Sequence, residues 1–269
     1  MTADEKPLDA SLYADYIEWK GWQKFFVCEA LDHDRFARDL AGIDLRGKAL
    51  LEIGFGQGAL LAWARERGAE VSGCELTRES LSAAEKAGIT LVDPSFEESG
   101  ALAPDSLDIV VAIDVFEHLE ETVIRRKLFA IARALRPGGF VVLRYPNGQS
   151  PFGLIAQHGD VTHKVALSEL KVEQLALGSG LETWRYTGAT FARHRRLAHR
   201  IVTAIRGYLR RVIIRTVQFA FATDVELDPV MIHILRKSLA MDINLHSGDV
   251  PLEARVPPRA PIQRTDLTP

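Results

Sequence analysis

The sequence predicts an α/β fold in which a seven-stranded, mostly parallel sheet is covered by helices on both faces. Two observations support this prediction. Between residues 47 and 143, short apolar runs alternate with longer amphipathic stretches, as strands and helices do in repeated βαβ units. The apolar runs also lack strict alternation of polar and apolar residues, which is typical of strands buried on both faces.

The individual elements follow in chain order from this pattern. We predict strands over residues 49–53, 70–74, 90–92, 109–113 and 140–143. Helices are predicted over residues 59–67, 78–87 and 120–135. After the fifth strand, a helix over 168–178 precedes two strand-like runs, 182–191 and 230–235, which are separated by a long insertion.

Composition indicates one elaborated domain with flanking segments, since 269 residues with 47% hydrophobic content can bury one full-sized core. We predict an N-terminal helical cap over 1–45, a central domain over 46–249, and an extended or disordered tail over 250–269, which is rich in proline and charge. The aromatic residues of the cap would either join the core or cover the ligand crevice of the sheet.

Several classes of protein are disfavoured by bulk properties. The first residues include acidic side chains without a basic and then apolar leader, and no run approaches about 20 apolar residues. Cys28 and Cys74 form neither a metal-type spacing nor a disulfide framework. The net charge of −3 gives no general attraction to nucleic acid. We therefore expect a cytoplasmic protein.

A glycine-rich loop follows the first predicted strand and carries Gly54, Gly56 and Gly58. Alternate glycines allow a ligand to approach the backbone amides at the start of the next helix. Glu75 follows the second strand, where a carboxylate can accept hydrogen bonds from both ribose hydroxyls of an adenosine. With Ala59 the loop also reads G-x-G-x-x-A, which a dinucleotide-binding domain could use.

Two later segments favour one of these alternatives. Residues 107–119 read LDIVVAIDVFEHL and residues 135–140 read LRPGGF. Both segments resemble the fourth-strand and fifth-strand motifs of class I methyltransferases, and the resemblance covers roughly residues 50–143. It implies S-adenosylmethionine as the cofactor, and a sheet whose last strand is inserted antiparallel.

The resemblance also implies which residues contact the cofactor. The glycine loop would lie against its methionine and ribose part, Glu75 would hold the ribose, and Glu52 would lie near the methionine amino end. Asp93 follows the third strand, where the family often contacts adenine, although a plain turn explains Asp93 equally well. The predicted cofactor-binding residues are Glu52, Gly54, Gly56, Gly58, Glu75, Asp93, Asp114 and His118.

The segment after the fifth strand is rich in residues suited to an acceptor site. Residues 144–153 read RYPNGQSPFG and residues 157–164 read QHGDVTHK. Together they resemble a branch of bacterial methyltransferases associated with O-antigen and surface-polysaccharide synthesis. The resemblance implies O-methylation of a sugar or glycan hydroxyl, including a lipid-linked one. We predict that Tyr145 and Asn147 bind this acceptor.

A sugar hydroxyl is a poor nucleophile at neutral pH and needs a general base or a metal ion. We predict that His163 is the base, oriented or assisted by Asp160, with His158 and His118 as the next candidates, although structural hydrogen bonding explains any single histidine equally well. A divalent metal ion held by His158, Asp160 and His163 is an alternative, but we predict no metal site, because no second carboxylate lies near these three residues in the sequence.

Two other functions remain open. A small lipid or quinone-like metabolite could be the acceptor in place of a sugar. Alternatively, the chain could be a non-catalytic adenosine-binding or scaffold protein, although Glu52, Glu75 and the His163 cluster argue against this.

A basic insertion, 193–222, contains no acidic residue. Its apolar residues recur at helical spacing, which predicts a basic amphipathic helix with most arginines opposite the apolar stripe. Such a helix could lie on an anionic membrane, or pack on this protein or a second subunit as a homodimer. Nucleic acid is disfavoured, because little aromatic interleaving is present. The arginines are Arg193, Arg195, Arg196, Arg200, Arg206, Arg210, Arg211 and Arg215.

Overall fold

The computed structural model describes residues 21–22, 24–189 and 197–239. Residues 1–20 and 23 of the predicted N-terminal cap, the first part of the basic insertion and the predicted tail, 250–269, lie outside the described residues. Within the described residues, no helix is both long enough and apolar enough to cross a membrane.

A seven-stranded sheet forms the centre of the domain, in the order β3-β2-β1-β4-β5-β7-β6. Strand β7 is antiparallel to both of its neighbours, and the other paired strands are parallel. This architecture confirms the predicted fold class. The strands are β1 (Ala49–Ile53), β2 (Glu70–Cys74), β3 (Thr90–Leu91), β4 (Leu107–Ile113), β5 (Leu135–Pro146), β6 (Leu181–Gly188) and β7 (Val230–Lys237).

Helices cover both faces of this sheet and connect its parallel strands. A short 3₁₀ turn, Phe116–His118, follows β4. The Ser168 side chain caps the helix that begins at Glu169 by accepting a hydrogen bond from the Lys171 amide. The helices are α1 (Ala30–Asp39), α2 (Ala59–Glu66), α3 (Arg78–Lys86), α4 (Phe96–Ser99), α5 (Glu121–Ala134), α6 (Leu154–His158), α7 (Glu169–Ala176) and α8 (Leu197–Ala220).

Alternate residues of the central strands enter two separate hydrophobic clusters, because successive side chains of a strand point to opposite faces. On one face, Leu51 and Val110 pack with Ile131 of α5. On the other face, Leu50 and Val111 pack with residues of α1 and α2. Burial on both faces explains why the strand sequences are continuously apolar.

Strand β5 is longer than predicted, because pairing with β4 at Leu135 and with β7 up to Pro146 extends it at both ends. The sequence suggested residues 140–143, whereas the strand runs from Leu135 to Pro146. Its antiparallel pairing with β7 extends from Phe140 opposite Arg236 to Pro146 opposite Val230. The extra residues at its carboxyl end lead directly into the acceptor-side segment.

The strand order reverses between β1 and β4, since β2 lies on one side of β1 and β4 lies on the other. In open α/β sheets, ligands bind at the carboxyl ends of the strands beside such a switch point. The glycine loop leaves β1 at this position, and the turn at Phe116 leaves β4 beside it. The topology therefore brings both predicted sites to one edge of the sheet.

Candidate active site

The loop after β1 has the backbone conformation that its glycines permit. Gly54, Gly56 and Gly58 have φ angles of +66°, +52° and +72°, a region that residues with a Cβ seldom adopt. The Gly54 amide donates to the Cys74 carbonyl at 2.8 Å, which ties the loop to the end of β2. Helix α2 begins directly after Gly58, so the loop has the geometry of a nucleotide site.

Aromatic side chains from the N-terminal segment lie against this loop. A Cβ on Gly56 would stand 2.6 Å from the Trp22 ring, and a Cβ on Gly58 would contact the Phe26 ring. The Phe26 amide also donates to the Gln57 carbonyl at 2.7 Å. Phe26 also packs against the hydrophobic cluster on this face of the sheet, so both roles considered for the aromatic cap stay predictions.

Glu75 connects the loop to the end of β2. Its Oε2 accepts a hydrogen bond from the Gly56 amide at 2.8 Å. Its Oε1 accepts from the amides of Leu76 at 2.6 Å and Thr77 at 3.2 Å. The carboxylate is thus held at the position where an adenosine ribose would lie in such a fold.

Glu52 lies beneath the loop and is almost fully buried. Burial raises the pKa of this carboxyl well above its ordinary value, and the nearby Glu75 charge raises it further. Its Oε2 has no hydrogen-bond partner among the described residues. A buried acceptor of this kind is suited to an ammonium group. Glu52, Glu75 and the glycine loop therefore fit the amino end and the ribose of S-adenosylmethionine.

Two further predicted cofactor residues lie at the same edge of the sheet. The Asp93 carboxylate accepts from the Ser95 amide at 2.8 Å in an exposed turn after β3. Asp114 follows β4 with a φ of +53°, and its Oδ2 lies 3.0 Å from Nη1 of Arg144. Both have protein partners, and their cofactor contacts remain predictions.

A second cluster forms where β4 ends. Glu117, His118 and His163 each offer one ligand atom, and these atoms all lie within 4.8 Å of one another. The first two residues belong to the 3₁₀ turn after β4, whereas His163 comes from the segment that follows α6. The His118 and His163 rings meet edge to face, with their centroids 4.6 Å apart.

Hydrogen bonds determine the tautomers of both histidines. The Gln157 carbonyl can only accept, so Nδ1 of His163, at 2.9 Å, carries the proton. The Thr162 hydroxyl donates to Asp160 Oδ1 at 2.5 Å, so it accepts from Nδ1 of His118 at 2.8 Å. In the neutral state, each ring therefore has its basic lone pair on Nε2.

Glu117 is the residue of this cluster that sequence reasoning did not single out. Its side chain is fully buried, and neither carboxylate oxygen has a hydrogen-bond partner among the described residues. Burial raises the pKa of Glu117 well above its ordinary value, and the charge of Asp114 raises it further. Its position directly before His118 in the segment after β4 was the available sequence signal.

These three residues could hold a divalent cation. Carboxylate oxygen and imidazole nitrogen are common ligands of such ions, and Nδ1–H contacts of this kind orient metal-bound histidines. The sequence argument against a metal site was that no second carboxylate lies nearby. The fold supplies Glu117 from the end of β4, so that argument does not hold in three dimensions.

Asp160 acts on the cluster mainly through Thr162. Partial burial tends to raise the pKa of Asp160, but the Thr162 hydroxyl and amide, followed by the charges of His118 and His163, bring it below its ordinary value. Asp160 is therefore a carboxylate at neutral pH. The structure places it behind His118, through Thr162, whereas the sequence suggested that it orients His163.

The other predicted acceptor residues have different surroundings. Tyr145 is fully buried, with its hydroxyl 2.9 Å from Nδ1 of His233. The buried Asn147 amide donates to the carbonyls of Glu226 at 2.8 Å and Asp228 at 2.9 Å. His158 lies exposed at the end of α6. The structure does not bring these three predicted residues into the cluster around Glu117.

His233 was not predicted as a functional residue, but it organises the sheet beneath this site. Thr183 donates to Glu173 at 2.8 Å and accepts from Nε2 of His233 at 2.9 Å, so Nδ1 accepts from the Tyr145 hydroxyl. Complete burial lowers the pKa of His233 to about 3. This neutral histidine links β5, β6 and β7.

Comparison with known proteins adds three kinds of finding. Residues 51–143 match a family described as a methyltransferase domain. The ubiquinone biosynthesis O-methyltransferase of Thiobacillus denitrificans is 29% identical over 166 residues, which are 55% of this chain and 70% of that protein. The enzyme of the same name from Aeromonas salmonicida is 35% identical over 105 residues, which are 37% of this chain and 43% of that protein.

A solved structure has a similar fold over nearly its whole length. It is an S-adenosylmethionine-dependent methyltransferase from Archaeoglobus fulgidus with a TM-score of 0.55 and 16% identity. The alignment covers 85% of this chain and 99% of that one. The matching domain and the shared fold support the methyltransferase interpretation of the glycine loop over the dinucleotide one.

Proposed function

We propose that this chain, which is an S-adenosylmethionine-dependent methyltransferase, methylates a ring hydroxyl of an amphiphilic, quinone-like acceptor. The acceptor class is supported by the relatives named ubiquinone biosynthesis O-methyltransferase. The sequence analysis placed such an acceptor second to a sugar hydroxyl. The sugar remains the second candidate, on the resemblance of residues 144–164 to the polysaccharide-associated branch.

The observation that carries the proposal is the cluster of Glu117, His118 and His163 at the carboxyl end of β4. A hydroxyl needs a base near the cofactor, whereas a thiolate or an amine can react without one. The cluster lies at the same edge of the sheet as the glycine loop, since β4 neighbours β1. Two oriented imidazoles at this position support oxygen as the methyl acceptor.

The reaction itself is an in-line displacement at the methyl carbon. The acceptor oxygen forms a bond to that carbon while the carbon–sulfur bond breaks, and the sulfonium becomes a neutral thioether. We assign the hydroxyl proton to Nε2 of His163, whose Nδ1–H is held by the Gln157 carbonyl. His118, held through Thr162 by Asp160, lies beside it and can share the proton.

A divalent cation on the same cluster offers a second way to activate the hydroxyl. An ion bound by Glu117, His118 and His163 would lower the pKa of an acceptor hydroxyl that ligates it. It would also provide a partner for the unpaired carboxylate of Glu117. In that case the imidazole nitrogens of His118 and His163 would serve as ligands, and the ion would favour the ionised hydroxyl in place of a histidine base.

The test is a methyl-transfer assay with S-adenosylmethionine labelled in its methyl group. Short-chain catechol analogues of a quinone precursor would be compared with soluble sugars and a lipid-linked glycan. We expect a methyl ether on the ring hydroxyl as the product. Methylation of the glycan alone would establish the sugar candidate instead. Cofactor binding without any methylated product would support the scaffold alternative.

The role of a cation is tested in the same assay. After chelator treatment and dialysis, activity that is lost and then restored by magnesium or zinc would assign the cluster to an ion. Activity that is unaffected would assign it to proton transfer by histidine. In either case, S-adenosylhomocysteine binding by calorimetry should stay intact, because the glycine loop and Glu75 lie outside the cluster.

A further inference from the structure

Helix α8 is held against the domain along one side. Ile214 is only 8% exposed, and Nε of Arg210 lies 3.2 Å from Oδ1 of Asp228. Residues four positions apart share a side of a helix, so Arg210 and Ile214 mark the side that faces the domain. The sequence analysis placed most arginines opposite the apolar stripe, and Arg210 lies on that opposite side, which here faces the domain.

The opposite side of α8 is apolar and exposed. Ile205 precedes Ile214 by nine residues, which is half a turn away at about 100° per residue, and it is 54% exposed. We call this side the outer face of α8; it consists of Ile201, Val202, Ile205, Tyr208, Leu209, Val212, Ile213 and Phe219, all of which are exposed. Contiguous apolar surface of this kind marks an interaction site.

Exposed arginines border the outer face on both sides. At about 100° per residue, Arg206 lies next to Ile213 at one border and Arg215 lies next to Tyr208 at the other. Arg211 lies farther round the helix on the side of Arg215, and all three arginines are exposed. Such a pattern lets the apolar side chains enter a lipid layer while the guanidinium groups reach the headgroups.

We propose that the outer face of α8 is a docking surface for an anionic lipid membrane. Charge favours a membrane over a second copy of the chain as the partner of this face. Residues 193–222 contain no acidic side chain, so pairing two outer faces would bring arginine borders together without counter-charges. Anionic headgroups supply the opposite charge along the whole helix.

The docking surface is connected directly to the acceptor side of the domain. The segment that follows α8 accepts hydrogen bonds from the loop after β5: Ser150 donates to the Leu227 carbonyl at 2.6 Å, and Asn147 donates to the Glu226 carbonyl at 2.8 Å. Beyond that loop, Ile155 and Val161 are also exposed apolar residues. A membrane at α8 would therefore bring lipid toward the segment that ends at His163.

Membrane docking gives the proposed acceptor a route to the site, because an amphiphilic quinone-like molecule resides in the lipid. To that extent the inference rests on the proposed function. Lipid binding can nevertheless be measured without cofactor or acceptor, and methyl transfer can be measured with a short-chain, water-soluble acceptor and no lipid. Failure of one is thus distinguishable from failure of the other.

The experiment is cosedimentation of the purified chain with vesicles of phosphatidylcholine alone or mixed with phosphatidylglycerol. We expect binding to anionic vesicles that is at least about tenfold stronger than to neutral ones and that weakens between about 0.1 M and about 0.5 M salt. The double variant Ile205→Glu, Leu209→Glu should lower this binding by at least about tenfold.

Two further variants complete the test. Leu170→Glu, at an exposed leucine of α7, is the matched control and should bind within about twofold of the parent chain. Arg206→Glu combined with Arg211→Glu should reduce the salt dependence together with the affinity. Because all of these positions are exposed, thermal midpoints should stay close to that of the parent and report intact folding.

Light scattering of the lipid-free protein tests the alternative that a second copy of the chain covers the outer face. A monomer that binds anionic vesicles supports the proposal. A dimer that dissociates in the Ile205→Glu, Leu209→Glu variant and binds no vesicles would overturn it and assign the outer face to a second copy. Equal binding by the parent and the double variant would also overturn it.

Discussion

The cofactor side and the acceptor side of this domain are built in different ways. On the cofactor side, Gly54, Gly56 and Gly58 and the nearby Glu75 belong to two adjacent βα turns and interact through local backbone contacts. On the acceptor side, Glu117 and His163 come from separate segments that meet only in the fold. The first arrangement can be recognised from short sequence motifs, whereas the second depends on tertiary structure.

The largest effect should come from the acceptor side. We expect His163→Ala to lower the turnover number by about 10²-fold to 10⁴-fold, the usual contribution of a positioned base. Affinity for S-adenosylmethionine should stay unchanged, because His163 contacts Gln157 and His118 and not the glycine loop. His158→Ala is the control, since His158 is exposed on the same segment. Full activity of His163→Ala would remove it as the base.

On the cofactor side, Glu75→Ala should weaken binding of S-adenosylmethionine by about 1–3 kcal/mol, the range for a hydrogen bond to a charged group. The substitution removes the proposed ribose contact and the acceptor of the Gly56 amide. Titration calorimetry measures the change. Glu79→Ala, in the first turn of α3 and exposed, should leave the affinity unchanged. Equal affinities of Glu75→Ala and the parent would exclude Glu75 from the site.

The packing of the aromatic segment on the loop can be tested through stability. Gly58→Ala should reduce the free energy of unfolding by about 1–3 kcal/mol, because a Cβ there meets the Phe26 ring and the φ of +72° strains any side chain. Adding Phe26→Ala should make the Gly58 substitution less costly, since the collision is then absent. Additive losses in this double-mutant cycle, followed by denaturant unfolding, would show that the ring does not lie there.

Acid should lower the free energy of unfolding through His233, which lies on the acceptor side. Its pKa is about 3 in the fold and 6.5 ordinarily, so between these values the unfolded state binds more protons. The free energy of unfolding should therefore fall as pH drops from about 6.5 toward 3, by up to about 1.4 kcal/mol per pH unit. Urea unfolding across this range measures the slope. His233→Gln should flatten it, whereas the exposed His158→Gln should leave it unchanged.

The fold could be predicted closely where local pattern determines structure. The predicted strands 49–53 and 70–74 coincide with β1 and β2, because each is an apolar run between clear turn signals. Strand β5 is longer than its prediction, since pairing with β4 extends one end and pairing with β7, which lies far along the chain, extends the other. Local periodicity contains no information about such a partner.

The same limit applies to the two predicted sites. Gly56 and Glu75 could be found from spacing alone, and they are hydrogen bonded in the fold. Tyr145 follows the strand motif but points into the core toward His233, because the face of a strand residue depends on register. Glu117 was not predicted, because the residue that it meets in the fold, His163, lies 46 residues later in the chain.

The Trp22 and Phe26 rings on the glycine loop bear on how fast the enzyme can release its product. A product that keeps the adenosine of the donor would have to pass these two rings, so we expect their packing on the loop to influence its rate of release.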